Sequence, residues 1–320
     1  MNDTKSVAEA VDNAGATTDP SFREPTLSEW GGRIAESTRE TLEFLLPASN
    51  SYPTILGEAI RYAMFSGGKR VRPMLCHAAG ELTDADPAVL NTVASVVEMI
   101  HIFSLIQDDL PEMDDDDIRH GKPATHVRYG VATALLSCDA LITLAFQTLS
   151  ELRIDSMQRI RLIRELSFAA GFFGMTGGQF IDISSVGKRL TLAELERMHQ
   201  LKTGALTRAA VRMGAICGQP SLKSEDDLYK DLTNYADNIG LAFQVVDDIL
   251  DVTKSSEEIG KTANKDLTFN KPTYATLLGL GSASVLVEKL AENAHFALCS
   301  YGAKAIRLHQ LIDFVASRRN

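Results

Sequence analysis

The chain is short of cysteine, of positive charge and of long apolar runs, and each shortage removes a class of protein. Its four cysteines, Cys76, Cys138, Cys217 and Cys299, stand far apart with no C-x-x-C pair. That rules out zinc-ligand spacing and leaves them as small core residues in a reduced compartment. Lysine and arginine total 32 against 42 aspartates and glutamates, a formal net charge of -10. No nucleic-acid partner is expected, because no basic stripe supplies counterion release. The longest apolar run, "VASVVEMIHIFSLI", contains Glu98 and His101, so no uninterrupted run reaches the ~18 residues of a transmembrane segment. The N-terminus has neither an apolar signal core nor the Arg-rich, acid-poor character of a transit peptide, which predicts a cytoplasmic chain with residues 1–26 as a disordered tail.

Alternating β-branched runs are also missing, whereas helix signals are plentiful. "TLSE" at 26, "TLAE" at 191 and "SEDD" at 224 fit the box that caps a helix start. Leu90 to Ile106 is apolar on almost every face, as in a helix surrounded by helices. Gly171, Gly174, Gly177 and Gly178 allow a close backbone or ligand approach, with tight helix packing as the plainer alternative. A composition that is 45% hydrophobic can bury a large core. The expectation is one all-α domain over residues 27–320.

Two acidic stretches each follow an apolar helical run. "LIQDDLPEMDDDD" carries Asp108, Asp109 and Asp114, with Pro111 favouring a break between them. "FQVVDDILD" carries Asp247, Asp248 and Asp251, of which the first and last fall within roughly 40° on a helix. Carboxylates so close repel unless water or a cation lies between them. Mg²⁺ suits such sites, since it takes one or two carboxylates and completes its shell with phosphate oxygens. An EF-hand started at Asp114 fails, because Ile118 and Arg119 fall where an oxygen ligand and the turn glycine belong. Cations lie nearby in sequence: Lys69, Arg70 and Arg72 in "SGGKRVRP", Arg119 in "IRHG", Lys202 in "LKTG", and Lys261 and Lys265 in "GKTANKD". Gly67 and Gly68 would let backbone amides approach an anion.

"GGKRVRP", "EMIHIFSLIQDDLPEMDDDDIRHG", "GGQFID", "LKTG", "FQVVDDILD" and "GKTANKD" occur in the order and spacing of the trans-prenyltransferases. The chain resembles a bacterial short-chain isoprenyl diphosphate synthase of the farnesyl or geranylgeranyl type from about residue 30 onward. The resemblance implies the isoprenoid synthase fold, ten or more helices around a deep cavity, in a homodimer. It implies three Mg²⁺ ions, with Mn²⁺ as a substitute, bound by Asp108, Asp114 and Asp247, with Asp109, Asp248 and Asp251 completing the motifs. Arg119, Lys202 and Lys261 would bind an allylic diphosphate, and Lys69, Arg72 and His101 isopentenyl diphosphate. Thr203 and Gln244 could face an allylic cation, Gln244 lying three residues before Asp247 on the same helical face.

Two positions bear on specificity. Arg119-His120-Gly121 stands where the family usually has Arg-Arg-Gly. A titrating imidazole replaces a permanent bidentate cation, so His120 is expected to hold diphosphate mainly as imidazolium. Phe103, five residues before Asp108, and its neighbour Ser104 stand where the family sets product length. An aromatic there goes with a C15 stop, although a 140° offset from Asp108 does not by itself aim the ring into a cavity.

Overall fold

A computed structural model describes residues 25–253 and 272–318. Helices dominate: α1 (Leu27–Leu45), α2 (Thr54–Met64), α3 (Val71–Leu82), α4 (Pro87–Asp108), α5 (Thr125–Tyr129), α6 (Val131–Glu151), α7 (Ser156–Ala170), α8 (Met175–Ser184), α9 (Leu192–His199), α10 (Ala205–Gly218) and α11 (Asp227–Thr253). A π-helical turn, Gln200–Gly204, joins α9 to α10, and helices Tyr274–Leu278, Leu280–Ala297 and Ile306–Ser317 follow. Capping decides two starts as the sequence predicts. Thr26 and Glu29 form a reciprocal box at α1, and Thr191 and Glu194 form one at α9. At the third, the Ser224 hydroxyl donates to Glu225 and α11 begins at Asp227.

α4 is the central helix. Val93, Val96, Val97, Met99, Ile100, Ile102 and Ile106 are buried on different faces, and α1, α3, α6 and α10 pack around it. α4 and α6 are both long and apolar enough to cross a bilayer, but two-thirds of the α4 window is buried inside the protein, as in a core helix. α10 lies tightly on α3, where a Cβ at Gly214 would strike the Cys76 backbone. The four glycines of "GFFGMTGG" do not share one helix, since α7 ends at Ala170 and α8 begins at Met175. At Gly171, Gly174 and Gly177 a Cβ would meet nearby backbone carbonyls.

The unforeseen element is a two-residue antiparallel ribbon, β1 (Ile118–Arg119) with β2 (Lys122–Pro123). Its turn residues, His120 at φ 51° and Gly121 at φ 72°, are both left-handed, as a two-residue hairpin requires.

Candidate active site

The first acidic stretch is a closed turn. After α4 the Asp114 N–H donates back to the Asp108 carbonyl at 2.9 Å, and the Asp116 N–H to the Asp109 carbonyl at 3.2 Å. The extra residues around Pro111 are absorbed in this loop, and Asp108, Asp114 and Asp116 reach one cavity of about 280 Å³. α11 brings Gln244, Asp247 and Asp248 to the same cavity. Asp251 is buried outside its lining.

Each aspartate is held differently. Burial pushes the Asp108 carboxyl up to about 6, against the pull of Lys202 and with the added repulsion of Asp114. Asp109 is buried away from the cavity and receives Arg119, whose Nε donates to both its oxygens at 3.0 and 3.2 Å. Arg119 also lies 3.6 Å from Asp116. Asp109 therefore fixes an arginine that lines the cavity. Asp248 accepts from Gln244 Nε2 at 2.9 Å and from the Tyr274 N–H at 2.8 Å. The Thr203 hydroxyl donates to Gln244 Oε1 at 3.1 Å, which orients the amide.

Lys202 sits on the π-helical turn, and Gly178 of α8 makes its position possible: a Cβ there would lie 2.6 Å from Lys202 Cα. Its Nζ donates to Asp182 Oδ2 at 2.5 Å. Burial alone would lower this ammonium, but Asp108, Asp182 and Asp114 outweigh it and raise its pKa. On another wall Arg72 NH1 donates to His101 Nε2 at 3.3 Å. Burial and then Arg72 hold His101 well below the usual imidazole range, so it is a neutral acceptor there. The buried Arg72 Nε has no protein partner. Arg70 is spent on structure, pairing with buried Glu98.

Lys69 and His120 lie outside the cavity lining. Burial and then Arg318 lower the Lys69 ammonium, while Asp247 raises it. Ser104 lines the cavity, whereas Phe103 is buried, 7% exposed, and does not. Lys261 and Lys265 lie outside the described residues. Sequence reasoning missed Asp116, Asp182 and Arg318. Asp182 had a signal, standing four residues after Gly178 within "GGQFID". Arg318, 3.5 Å from Asp247, had none.

Among the described residues no three metal-ligating side chains are close enough to enclose an ion by themselves. The carboxylates instead come from two separate segments to line one cavity. That donor set fits Mg²⁺, which takes few protein carboxylates and completes its shell with phosphate and water. Burial disfavours the ionised form of Asp108 despite the pull of Lys202, so a divalent cation beside it would stabilise the carboxylate further.

An all-helical bundle whose cavity combines two acidic helix ends with buried lysine and arginine defines an enzyme for diphosphate substrates. The Polyprenyl synthetase family model matches residues 53–297, and the chain belongs to that family. It is a prenyltransferase with the isoprenoid synthase fold. It is 45% identical over 284 residues to a probable farnesyl diphosphate synthase of Bradyrhizobium diazoefficiens, covering 89% of this chain and 86% of that one. It is 42% identical over 290 residues to geranylgeranyl pyrophosphate synthase 4 of Arabidopsis thaliana, covering 89% and 76%. Among solved structures, an apo FPP/GFPP synthase from Zymomonas mobilis superposes with a TM-score of 0.81 at 36% identity, covering 91% of this chain and 98% of that one. A Helicobacter pylori geranyltransferase complexed with magnesium and isoprenyl diphosphate gives 0.80 at 31% identity, covering 93% and 98%.

Proposed function

We propose that this prenyltransferase condenses isopentenyl diphosphate with dimethylallyl and then geranyl diphosphate, giving farnesyl diphosphate. The observation that carries the reading is one cavity lined by Asp108, Asp114, Asp247 and Asp248 together with Lys202 and Arg119. Mg²⁺, or Mn²⁺ in its place, would be held by Asp108, Asp114 and Asp247, with Asp248 and Asp251 completing the second motif, and would supply positive charge to a leaving diphosphate. Three ions is the family expectation.

This chain's own residues do the rest. Lys202 and Arg119, with Lys261, bind the allylic diphosphate and stabilise the charge left on it as the C1–O bond breaks. Asp109 acts through Arg119 by orienting its guanidinium. Thr203 and Gln244 present oxygens toward the allylic cation, Gln244 being held by Thr203 and Asp248. Lys69, Arg72, His101 and His120 hold isopentenyl diphosphate so that its double bond attacks that cation, which makes positioning a large part of the rate. The proton lost afterwards goes to the departing pyrophosphate.

Product length belongs to α4, at Ser104 on the cavity wall and Phe103 buried beside it. A second reading, geranylgeranyl diphosphate as product, is favoured by that placement of Phe103 outside the lining and by plant relatives at 42–45% identity. A homodimer is supported by the exposed aromatic cluster of Phe168, Phe172 and Phe173, each at least 60% exposed. A cytoplasmic enzyme using these soluble substrates is the setting proposed.

The test incubates purified protein with Mg²⁺, isopentenyl diphosphate and, separately, dimethylallyl, geranyl and farnesyl diphosphates, with product length read by mass spectrometry. C15 without extension of farnesyl diphosphate supports the first reading, C20 the second. No product from any primer overturns both.

A further inference from the structure

His120 stands in a setting that dictates which of its nitrogens can meet an anion. Its left-handed backbone turns the ring back onto the Gly67–Gly68 turn. Cβ, Cγ and Nδ1 lie against Gly67, and Cε1 and Nε2 lie against Gly68, the residue before Lys69. Nδ1 faces the Ser66 hydroxyl at 3.4 Å. That hydroxyl has one proton and gives it to the Ala63 carbonyl at 2.9 Å, so toward His120 it can only accept. With the Ser66 proton on the Ala63 carbonyl, the arrangement favours the neutral ring that carries its proton on Nδ1 and leaves Nε2 a bare lone pair. A lone pair repels a phosphate oxygen, whereas the imidazolium donates from Nε2.

We propose that His120 makes the binding of isopentenyl diphosphate proton-linked, the ring taking one proton from solvent onto Nε2 and donating it to a diphosphate oxygen held at Lys69. This rests on the reading of Lys69 and Arg72 as holders of that substrate. The charges bearing on the ring all oppose its protonation. Burial lowers the His120 pKa first, followed by Arg119 and Lys122 of the hairpin and Arg70 of the facing turn. Arg119 is offset by Asp109 and Asp116, and Arg70 by Glu98. An arriving diphosphate reverses the balance, because its negative charge lies on the Nε2 side. The free ring is thus neutral and the bound ring charged, so binding takes up a proton. Ser66 has a share in this, as the acceptor that disfavours the ring's other tautomer.

The experiment measures KM for isopentenyl diphosphate and for geranyl diphosphate from pH 6 to 8.5 in wild type, H120R, H120Q and S66A. In wild type the isopentenyl KM should rise by up to ~10-fold per pH unit across the window between the free and bound pKa, a rise the geranyl KM lacks. H120R should flatten the isopentenyl profile to match the geranyl one. H120Q should flatten it at a higher KM. S66A should weaken the pH dependence, since the neutral ring can then carry its proton on Nε2. Calorimetry in buffers of different ionisation enthalpy, with isopentenyl diphosphate alone, should show proton uptake in wild type that H120R lacks. Equal profiles and equal uptake in wild type and H120R would overturn the inference while leaving the synthase reading intact. A wild type that turns over no allylic diphosphate would overturn the synthase reading and this inference with it.

Discussion

Arg318, just beyond the last helix, sets a guanidinium nitrogen 3.5 Å from Asp247 Oδ1 and lies over the Phe243 ring, 4.7 Å from its centroid. The residue is delivered by burial of Leu308, Leu311, Ile312 and Val315 on the helix before it. The second acidic motif thus has a cation of its own before any metal is added. Arg318 Nε and NH1 are buried without hydrogen-bond partners, so the arginine is held by ring stacking and Coulomb attraction.

A cation at that distance competes with a metal for Asp247. Replacing Arg318 by Gln should lower the Mg²⁺ concentration for half-maximal activity by roughly 2- to 5-fold, the scale of a partly exposed ion pair. A magnesium titration at saturating substrate checks this. A higher requirement in the variant would mean that Arg318 supports the metal site.

The pH response of metal-free protein follows from Asp108. Burial lifts its carboxyl from the ordinary 3.8 to about 6 in the folded protein. A raised carboxylate costs nothing below the unfolded value, costs progressively more between about 4 and 6, and costs its full amount above 6. In EDTA, D108N should therefore be more stable than wild type above pH 6, by on the order of 2–3 kcal/mol, with the difference vanishing near pH 4. Denaturant melts of the two proteins across that range test it. Magnesium should close the gap from the wild-type side.

Gly178 is the packing point that seats Lys202. A methyl group there would overlap the Lys202 backbone, so the π-helical turn must shift to admit it. G178A should cost about 1–3 kcal/mol of stability by overpacking. It should also raise KM for the allylic substrate more than for isopentenyl diphosphate, because Lys202 moves relative to Asp182 and Asp108. Thermal melts with separate KM determinations give both numbers. Equal rises in the two KM values would detach Lys202 from the allylic site.

Local features were readable before the structure and pairings across the fold were not. The boxes at Thr26 and Thr191 are complete within four residues, and the buried character of α4 is a run of adjacent apolar residues. The aspartate motifs were equally legible, because each cluster is contiguous and follows an apolar helix. Which carboxylate faces the cavity was hidden. Asp108 and Asp109 are neighbours, yet one lines the site and the other turns to Arg119. The hairpin escaped because two-residue strands carry no alternation, and its one signal was a glycine after His120. Arg318 meets Asp247 only through packing of the final helix, 71 residues on in sequence, and no local pattern records that.

Product length provides the sharpest contrast between the two α4 positions. Ser104 is on the cavity wall and its hydroxyl donates to the His101 carbonyl at 2.7 Å, so its side chain is small and tucked back toward the helix. A phenyl ring there must occupy cavity space, and S104F should shift the main product toward C10. Phe103 is packed in the core near α6, where Cys138 Sγ approaches the Phe103 carbonyl at 3.6 Å. Truncating it to Ala leaves a core cavity, which costs about 3–5 kcal/mol, and should change product length less than S104F does. Mass spectrometry of products from dimethylallyl and isopentenyl diphosphates, alongside thermal melts, separates the two effects. Chain extension to C20 in F103A at near wild-type stability would instead make the Phe103 ring the floor that ends elongation.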